Sequence, residues 1–318
     1  MTETIGVDLG GTKMAIGVVD DERRISYRST APSVGLQQDE VVASLEHGLR
    51  AAVDARPQVA GIGLGLPCTI DRARGVAIEA VNLDLADVPI RDLITERLAL
   101  PTFIDNDANA AALAEHRFGA ARGAGDAVLL TIGTGIGGGL IIDGRVYRGS
   151  TGAGAELGHM VIDRNGPRCQ GHCPNHGCVE ALASGNALGR EGARLAEHEP
   201  ESALGRLAAA GGTIDGKAVT TAALSGDSAA ISAVTTIGRN LGVALSGYAN
   251  IFDPDVIVVG GGVMAAGELL LEPAREEMRS RALRPMKRVA VRAAELGPDA
   301  GLIGAATMAA LELDGGRS

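Results

Sequence analysis

Two stretches of the chain share one pattern: an apolar segment, a glycine-rich turn and a second apolar segment. The first copy is TIGVDLGGTKMAIGVVD near Asp8, and the second is AVLLTIGTGIGGGLIID near Thr131. After both turns the residues have strand composition, whereas a dinucleotide-binding fold needs a helix at that point. The repeated pattern therefore predicts two strand–turn–strand units, one in each half of the chain.

Apolar spacing predicts helices over residues 36–55, 87–98, 229–250 and 301–311, and an alanine-rich helix follows Asn106. Apolar runs predict strands between several of these helices. The alternation indicates a two-domain α/β protein with a cleft between its halves. We expect a smaller domain over residues 1–120, with the C-terminal helix 301–318 packing back on it, and a larger domain over 121–300.

Composition limits the possible partners. The 318 residues suggest about two domains at about 150 residues each. The formal charge of −10, the 2% aromatic content and the absence of Trp disfavour nucleic-acid binding. The sequence has no apolar run of about 18 residues and no basic head before an apolar core at its N-terminus. These features predict a cytoplasmic protein that binds neither nucleic acid nor membrane.

The first glycine turn, DLGGTK, carries groups that suit a phosphate. The backbone N–H groups of Gly10 and Gly11 can converge on an anion, Thr12 adds a hydroxyl and Lys13 adds a charge. Asp8 could hold Mg²⁺, directly or through water. The P-loop pattern fails here, because Thr12 stands where that motif has its Lys. A plain glycine hairpin turn remains an equal alternative.

The later glycine runs offer two further candidates. Gly133, Thr134 and Gly135 open a formal GxGxxG whose following residues have strand composition, so a phosphate-binding hairpin suits the pattern better than a dinucleotide site. Gly261 and Gly262 belong to a run between a predicted strand and a predicted helix, a position that suits a nucleotide. Close backbone packing is the alternative for this third run, and a nicotinamide-dependent enzyme is the alternative function.

The polar run Asp105-Asn106-Asp107 follows an apolar strand and opens the alanine-rich helix. A carboxylate in the first turn of a helix is stabilised as the anion, and an ionised Asp can accept a hydroxyl proton. Asp107 is therefore a candidate general base. Helix capping is the alternative for the whole run.

Three cysteines lie close together in a loop rich in Gly, Pro and Asn. Cys169, Cys173 and Cys178, together with His159, form a Cys₃His set that suits a structural Zn²⁺. His172 and His176 compete with His159, but both lie inside the cysteine loop, where tetrahedral closure is harder. A redox thiol cluster is the alternative.

The motifs DLGGTK, DNDANAA, TIGTGIGGG, GAGAELGHM and a cysteine loop ending in GCVE occur in this order. Together they resemble the ROK family of repressors and sugar kinases, from Ile5 to about Ala310. The resemblance implies an actin-like, hexokinase-like (ribonuclease H-like) fold of two α/β domains with an interdomain cleft. It also implies phosphorylation of a hexose by ATP with Mg²⁺.

The resemblance also implies roles for single residues. Phosphate and nucleotide binding falls to two loops and the third glycine run: Asp8, Gly10, Gly11, Thr12, Lys13, Gly133, Thr134, Gly135, Gly261 and Gly262. Asp107 would be the base, and the sugar would be bound by Asn106, Asp107, Glu156, His159, Glu180, Gly65 and Asn82. Zinc would be bound in a loop spanning 159–178 by His159, Cys169, Cys173 and Cys178, with His159 also facing the sugar.

One feature departs from the family pattern, and others narrow the function that is expected within the family. Cys169 and Cys173 are four positions apart where the family has CxC, so Cys169 is the least typical ligand. The resemblance favours a kinase over a repressor, because only seven residues precede Asp8 and a DNA-binding domain needs more. Glucose is the expected substrate, since GAGAELGHM resembles the glucose-specific branch. N-acetylmannosamine, fructose or allose, a polyphosphate donor and a non-catalytic sugar sensor are alternatives. A homodimer or homotetramer is expected.

Overall fold

A computed structural model describes residues 2–11, 13–80 and 83–315. The strands are β1 Thr4–Leu9, β2 Lys13–Val19, β3 Ile25–Pro32, β4 Ile62–Leu66, β5 Cys68–Asp71, β6 Val76–Ala80, β7 Ala86–Val88, β8 Thr102–Asn106, β9 Ala127–Ile132, β10 Ile136–Ile142, β11 Arg145–Val146, β12 Val256–Gly260 and β13 Ala290–Ala293. The α-helices are α1 Gln38–Ala55, α2 Ile90–Leu98, α3 Asp107–Phe118, α4 Val179–Ala183, α5 Gly185–His198, α6 Ala203–Ala209, α7 Gly216–Leu224, α8 Ser228–Phe252, α9 Glu268–Arg281 and α10 Ala300–Leu313.

Backbone contacts group the chain into two compact units. Unit 1 comprises Met1–Gly125, Gly139–Ala155 and Glu295–Ser318, and unit 2 comprises Asp126–Gly138 and Glu156–Ala294. This division differs from the predicted boundaries, which assigned residues 139–155 to the second domain. The physical reason is that Gly139 lies directly against Ala108 and Ala112 of α3, and that Arg148 forms an ion pair with Asp105.

Unit 1 contains a five-stranded sheet in the order β3-β2-β1-β4-β8 and a three-stranded sheet in the order β5-β6-β7. The predicted N-terminal strand–turn–strand unit is confirmed, because β1 pairs antiparallel with β2. A third strand, β3, then pairs antiparallel with β2. The parallel strands β1, β4 and β8 follow. The small sheet was not anticipated, and its last strand, β7, occupies the start of the predicted helix 87–98.

A row of glycines lets α10 pack closely on the five-stranded sheet. Gly17, Gly6 and Gly63 are aligned across β2, β1 and β4. A Cβ atom at Gly6 would lie 2.1 Å from the backbone oxygen of Leu302, and one at Gly63 would lie 1.9 Å from that of Ala305. Side chains at these positions would therefore push α10 away. The buried apolar face of α1 belongs to the main core of this unit.

In unit 2, β12 lies parallel between β9 and β13. The second five-stranded sheet of the chain has the strand order β11-β10-β9-β12-β13. The predicted helix 229–250 is confirmed as α8, which has 25 residues and is capped by the Asp227 side chain. After β12 the chain forms a short 3₁₀ helix, Gly262–Ala266, and α9 begins only at Glu268. We expected the third glycine run to lead directly into an α-helix, but this 3₁₀ helix separates the run from α9. None of the helices in the described ranges has both the length and the hydropathy that a bilayer crossing requires.

Candidate functional site

One edge of the unit 1 sheet gathers several of the predicted site residues. Asp8 is aligned with Gly65, and Gly65 is aligned with Asp105, across the parallel strands β1, β4 and β8. All three lie at or near the carboxyl ends of their strands, where Asn106 ends β8 and Asp107 begins α3. A Cβ atom at Gly65 would lie 3.6 Å from the Cα of Asp107. The register therefore brings residues of three separate motifs to one edge.

The first turn of α3 contains the helix cap that the sequence offered as the alternative explanation of the polar run. Asn106 is the N-cap, because its Oδ1 accepts hydrogen bonds from the backbone N–H groups of Ala108 at 2.9 Å and Asn109 at 3.4 Å. Its Nδ2 lies 3.5 Å from the carbonyl oxygen of Cys68. Asp107 Oδ1 also accepts from Ala108 N at 2.8 Å. The cap uses the acceptor atom of Asn106, so its amide donor is the group suited to a ligand.

A buried ion pair lies directly before this turn. Arg148 Nε donates to Asp105 Oδ2 at 2.7 Å, and the two side chains are only 13% and 6% exposed. The other oxygen of Asp105 accepts from Asn106 N at 2.8 Å and from Asn109 Nδ2 at 3.0 Å. Asp105 thus has donors from β8, α3 and the segment after β11, and these donors hold the residue that precedes the helix cap.

Cys68 is a buried neighbour of the same turn. Burial and, to a smaller extent, the negative charge of Asp107 raise the pKa of the Cys68 thiol to about 12. The thiol is therefore neutral at pH 7, and it behaves as a small apolar side chain beside the candidate base.

The first glycine turn uses some of its own backbone donors. Gly10 N donates to Lys13 O at 2.9 Å, and Gly10 O accepts from the Ser33 hydroxyl at 2.6 Å. Gly10 therefore shapes the turn, and its N–H group is already bonded. Burial raises the pKa of Asp8, while the charge of Lys13 opposes that shift. Thr12, a predicted phosphate ligand, and Asn82, a predicted sugar ligand, lie outside the described residues.

The second glycine turn, which we define as residues 133–136, is held from several sides within unit 2. Gly133 N donates to Gly135 O at 2.9 Å, and Gly133 O accepts from Gly185 N at 2.8 Å. Gly261, with a φ of +89°, packs on the end of β9, where a Cβ atom would lie 2.4 Å from Ile132 O. Close packing is thus a sufficient reason for glycine at 261. By contrast, a Cβ atom at Gly262 would meet nothing within 4 Å in the described residues.

The four predicted zinc ligands lie together in unit 2. The donor atoms of His159, Cys169, Cys173 and Cys178 all lie within 4.8 Å of one another. His159 Nδ1 is 3.6 Å from Cys169 Sγ, and Cys173 Sγ is 3.8 Å from Cys178 Sγ. Burial is the main cause that raises the pKa of both Cys169 and Cys178, so these thiols need a cation beside them to ionise. His176, by contrast, is exposed, with Nδ1 3.3 Å from Gly166 O.

Two carboxylates flank this cluster. Glu180 is 9% exposed, and its Oε2 accepts from Ile136 N at 2.7 Å while its Oε1 lies 3.8 Å from Cys169 Sγ. Glu156 precedes the short helix that carries His159. Desolvation of its carboxyl group raises the pKa of Glu156, although the residue as a whole is exposed. The charge of His159 lowers this pKa, and the charge of Glu180 raises it. Direct sugar binding by Glu180 stays a prediction, since both its oxygens have protein neighbours.

The sequence analysis did not predict several residues that shape the site. Arg148 and Asn186 carry no motif signal of their own. Gln170 Nε2 donates to Thr134 O at 3.1 Å, and Gln170 Oε1 accepts from Asn186 Nδ2 at 2.6 Å. The Tyr248 hydroxyl donates to Leu157 O at 2.6 Å, and so anchors the turn that carries His159. The sequence carried one signal for Gln170, because this residue lies inside the widened spacing between the first two cysteines.

Comparisons with known proteins agree with these motifs. The ROK family model matches residues 4–312. A glucokinase of Streptomyces coelicolor is 37% identical over 315 residues, which cover 96% of this chain and 97% of that protein. The crystal structure of a ROK family glucokinase from Streptomyces griseus, in complex with glucose and AMPPNP, has a TM-score of 0.86 at 38% identity and covers 97% of this chain and 99% of that one. A xylose repressor of Caldicellulosiruptor bescii is 30% identical and covers 87% of this chain and 70% of its own length.

Proposed function

The chain belongs to the ROK family, and from this premise we propose that it is an ATP-dependent glucokinase that forms glucose 6-phosphate. Its fold is the two-domain actin-like α/β fold that the motifs predicted. The observation that carries the proposal is the position of Asp107 in the first turn of α3, beside Gly65 at one edge of the sheet. The glucose and AMPPNP bound to the Streptomyces griseus relative support the same sugar and donor.

Asp107 acts as the general base. Phosphoryl transfer depends mainly on positioning and charge neutralisation, so the protein needs one group that takes the proton from the attacking sugar hydroxyl. The N-terminus of α3 favours the anionic form of Asp107, and its bond from Ala108 N restricts the orientation of the carboxylate. The helix cap at Asn106 and the ion pair of Asp105 fix the backbone next to Asp107, and so help to position its carboxylate.

Sugar binding draws on both donors and acceptors. The amide of Asn106 donates to a ring hydroxyl, and Gly65 lies beside Asp107 at the same edge of the sheet. Glu156 and Glu180 accept from hydroxyl groups, because carboxylates pair well with O–H donors. His159 contributes through the ring nitrogen that does not face Cys169.

The glycine turns bind the phosphates of ATP. The first turn contributes Gly11 and Lys13, and the second contributes the backbone of Thr134 and Gly135. Mg²⁺, when bound with ATP, neutralises phosphate charge. Asp8 fits this ion, because burial raises its pKa and a neighbouring cation offsets the cost of a buried carboxylate. Gly262 leaves open space for the adenosine.

The Cys₃His cluster holds a structural zinc ion. Tetrahedral zinc, with bonds of about 2.3 Å to sulfur and about 2.1 Å to nitrogen, requires edges of about 3.8 Å between sulfurs and about 3.6 Å between nitrogen and sulfur. The observed Cys173–Cys178 and His159–Cys169 distances of 3.8 Å and 3.6 Å match both edges. Zinc bound by four protein ligands has no open position, so it fixes the His159 ring and takes no part in the chemistry. Metal analysis should find close to one zinc per chain, and a zinc-free active enzyme would contradict this assignment.

The test of the function is ADP release measured over a panel of glucose, N-acetylmannosamine, fructose and allose, with ATP or polyphosphate as the donor. Glucose with ATP should give the highest kcat/KM. Asp107→Ala should lower kcat by about 10²–10⁴-fold while glucose binding survives. Asp54→Ala, on the exposed surface of α1, is the matched control and should not change activity. A loss of only a few-fold in Asp107→Ala would refute the base assignment.

The similarity to a xylose repressor favours one second candidate, a regulator that binds a sugar without phosphorylating it. The Asp at 107 argues for catalysis, and the absence of ADP release with every sugar would argue for the regulator. A homodimer or homotetramer stays a prediction that light scattering can check. A cytoplasmic location also stays a proposal; it fits the supply of ATP and the four cysteines, none of which forms a disulfide.

A further inference from the structure

The segment from Cys169 to Asn186, which we call the metal segment, holds the second glycine turn at three places. Gln170 Nε2 donates to Thr134 O at 3.1 Å. Glu180 Oε2 accepts from Ile136 N at 2.7 Å, and Gly185 N donates to Gly133 O at 2.8 Å. Three of the four turn residues are therefore bonded to one segment, and that segment begins with a predicted zinc ligand.

Gly135 shows how closely the two parts fit. A Cβ atom there would lie 2.3 Å from Glu180 Oε2 and 3.1 Å from Gln170 Nε2. Any larger residue at 135 would push away the same two side chains that hold the turn. The turn and the metal segment are therefore packed as one structure, and the absence of a side chain at 135 allows it.

Gln170 connects the two parts through its side chain alone. Its amide nitrogen reaches Thr134, and its amide oxygen accepts from Asn186 Nδ2 at 2.6 Å, which fixes the orientation of the amide. Gln170 is also the neighbour of Cys169, and it is one of the three residues that lie between the first two cysteines of this chain. The extra length of the loop thus carries a residue with a defined contact.

We infer that Gln170 is a positioning residue through which the metal segment sets the conformation of the second glycine turn, and so the affinity for the phosphates of ATP. The part that concerns ATP rests on the proposed function. The part that concerns the turn rests on contacts within unit 2 alone. The metal cluster then serves both substrates: His159 faces the sugar, and Gln170 holds the turn that binds the donor.

The experiment compares Gln170→Met, which keeps the length of the side chain but removes both hydrogen bonds, with the control Gln58→Met on an exposed loop. Loss of one hydrogen bond of ordinary strength corresponds to about a 3- to 10-fold change in an equilibrium constant. We expect Gln170→Met to raise the KM for ATP by about that factor, with the KM for glucose and the zinc content unchanged. Asn186→Ala should have a smaller effect, and the double variant should be no worse than Gln170→Met. Equal rises in both KM values would indicate a general structural defect and overturn the inference.

Hydrogen–deuterium exchange of the nucleotide-free protein separates this inference from the proposed function. In Gln170→Met, and in wild type treated with a chelator, peptides covering residues 133–137 should exchange faster, while peptides covering α3 should not change. Faster exchange in a protein that phosphorylates no hexose would leave the coupling standing and remove the proposed function. Unchanged exchange at 133–137 in an active kinase would overturn the coupling and leave the function intact.

Discussion

Removing the guanidinium of Arg148 should strongly destabilise the protein. In Arg148→Met, the Asp105 carboxylate keeps its bonds from Asn106 N and Asn109 Nδ2 but loses the guanidinium that pairs with its charge, and with 6% of its side chain exposed it has little access to water. Two unit charges about 4 Å apart interact by about 4 kcal/mol at an effective dielectric constant of about 20. Breaking a buried ion pair by deleting one partner costs about 3–5 kcal/mol, which agrees with that value.

The assay is thermal unfolding followed by circular dichroism. At about 2–4 °C per kcal/mol, Arg148→Met should lower Tm by about 6–20 °C. Arg148→Met combined with Asp105→Asn should recover part of the loss, because the buried site then carries no uncompensated charge. Arg194→Met, which removes an exposed ion pair with Glu191, is the control and should leave Tm unchanged. A fall below 2 °C in Arg148→Met, or no recovery in the double variant, would refute the reasoning.

Two further substitutions test the packing and electrostatics of unit 1. Gly304→Ala lies inside α10, where Ala normally stabilises a helix by about 0.5–1 kcal/mol, but here the new Cβ would lie 1.8 Å from Ala110 O. Tm should therefore fall, whereas Gly247→Ala in α8, whose new Cβ would contact only the flexible end of Met160 at 3.2 Å, should not lower it; equal effects would contradict the close-packing argument. Burial raises the pKa of Asp8, so the ionised carboxylate destabilises the folded state at pH 8. Asp8→Asn removes that charge and should therefore raise Tm at pH 8. That gain is present above the folded-state pKa and should vanish as pH falls towards the unfolded value of about 3.9; an Asn variant less stable than wild type at pH 8 would contradict the prediction.

Local patterns in the chain were sufficient for most elements. The apolar spacing of residues 36–55 predicted α1, which the structure gives as Gln38–Ala55. The run Asp105-Asn106-Asp107 predicted both a helix start and a polar site, and Asn106 caps α3. Such predictions succeed because backbone conformation follows mainly from residues within one or two turns.

The predicted zinc ligands show the same principle at a longer range. Three of them lie within ten positions, so their type and spacing indicated a metal before any distance was known. The sequence spacing of Cys169 departs from the family pattern, so support for Cys169 as a ligand comes from the 3.6 Å distance between its Sγ and His159 Nδ1.

Residue types and their spacing were enough to identify the kinds of groups available: two glycine turns, a carboxylate at the start of a helix, and a Cys₃His set. Which of these groups contact one another became evident only in the folded chain. Arg148 reaches Asp105 across 43 positions, and Gln170 reaches Thr134 across 36. Contacts of this kind depend on strand register and on the path of the loops between elements. Register and loop path follow from the packing of the whole unit, so no single stretch of the sequence predicts them.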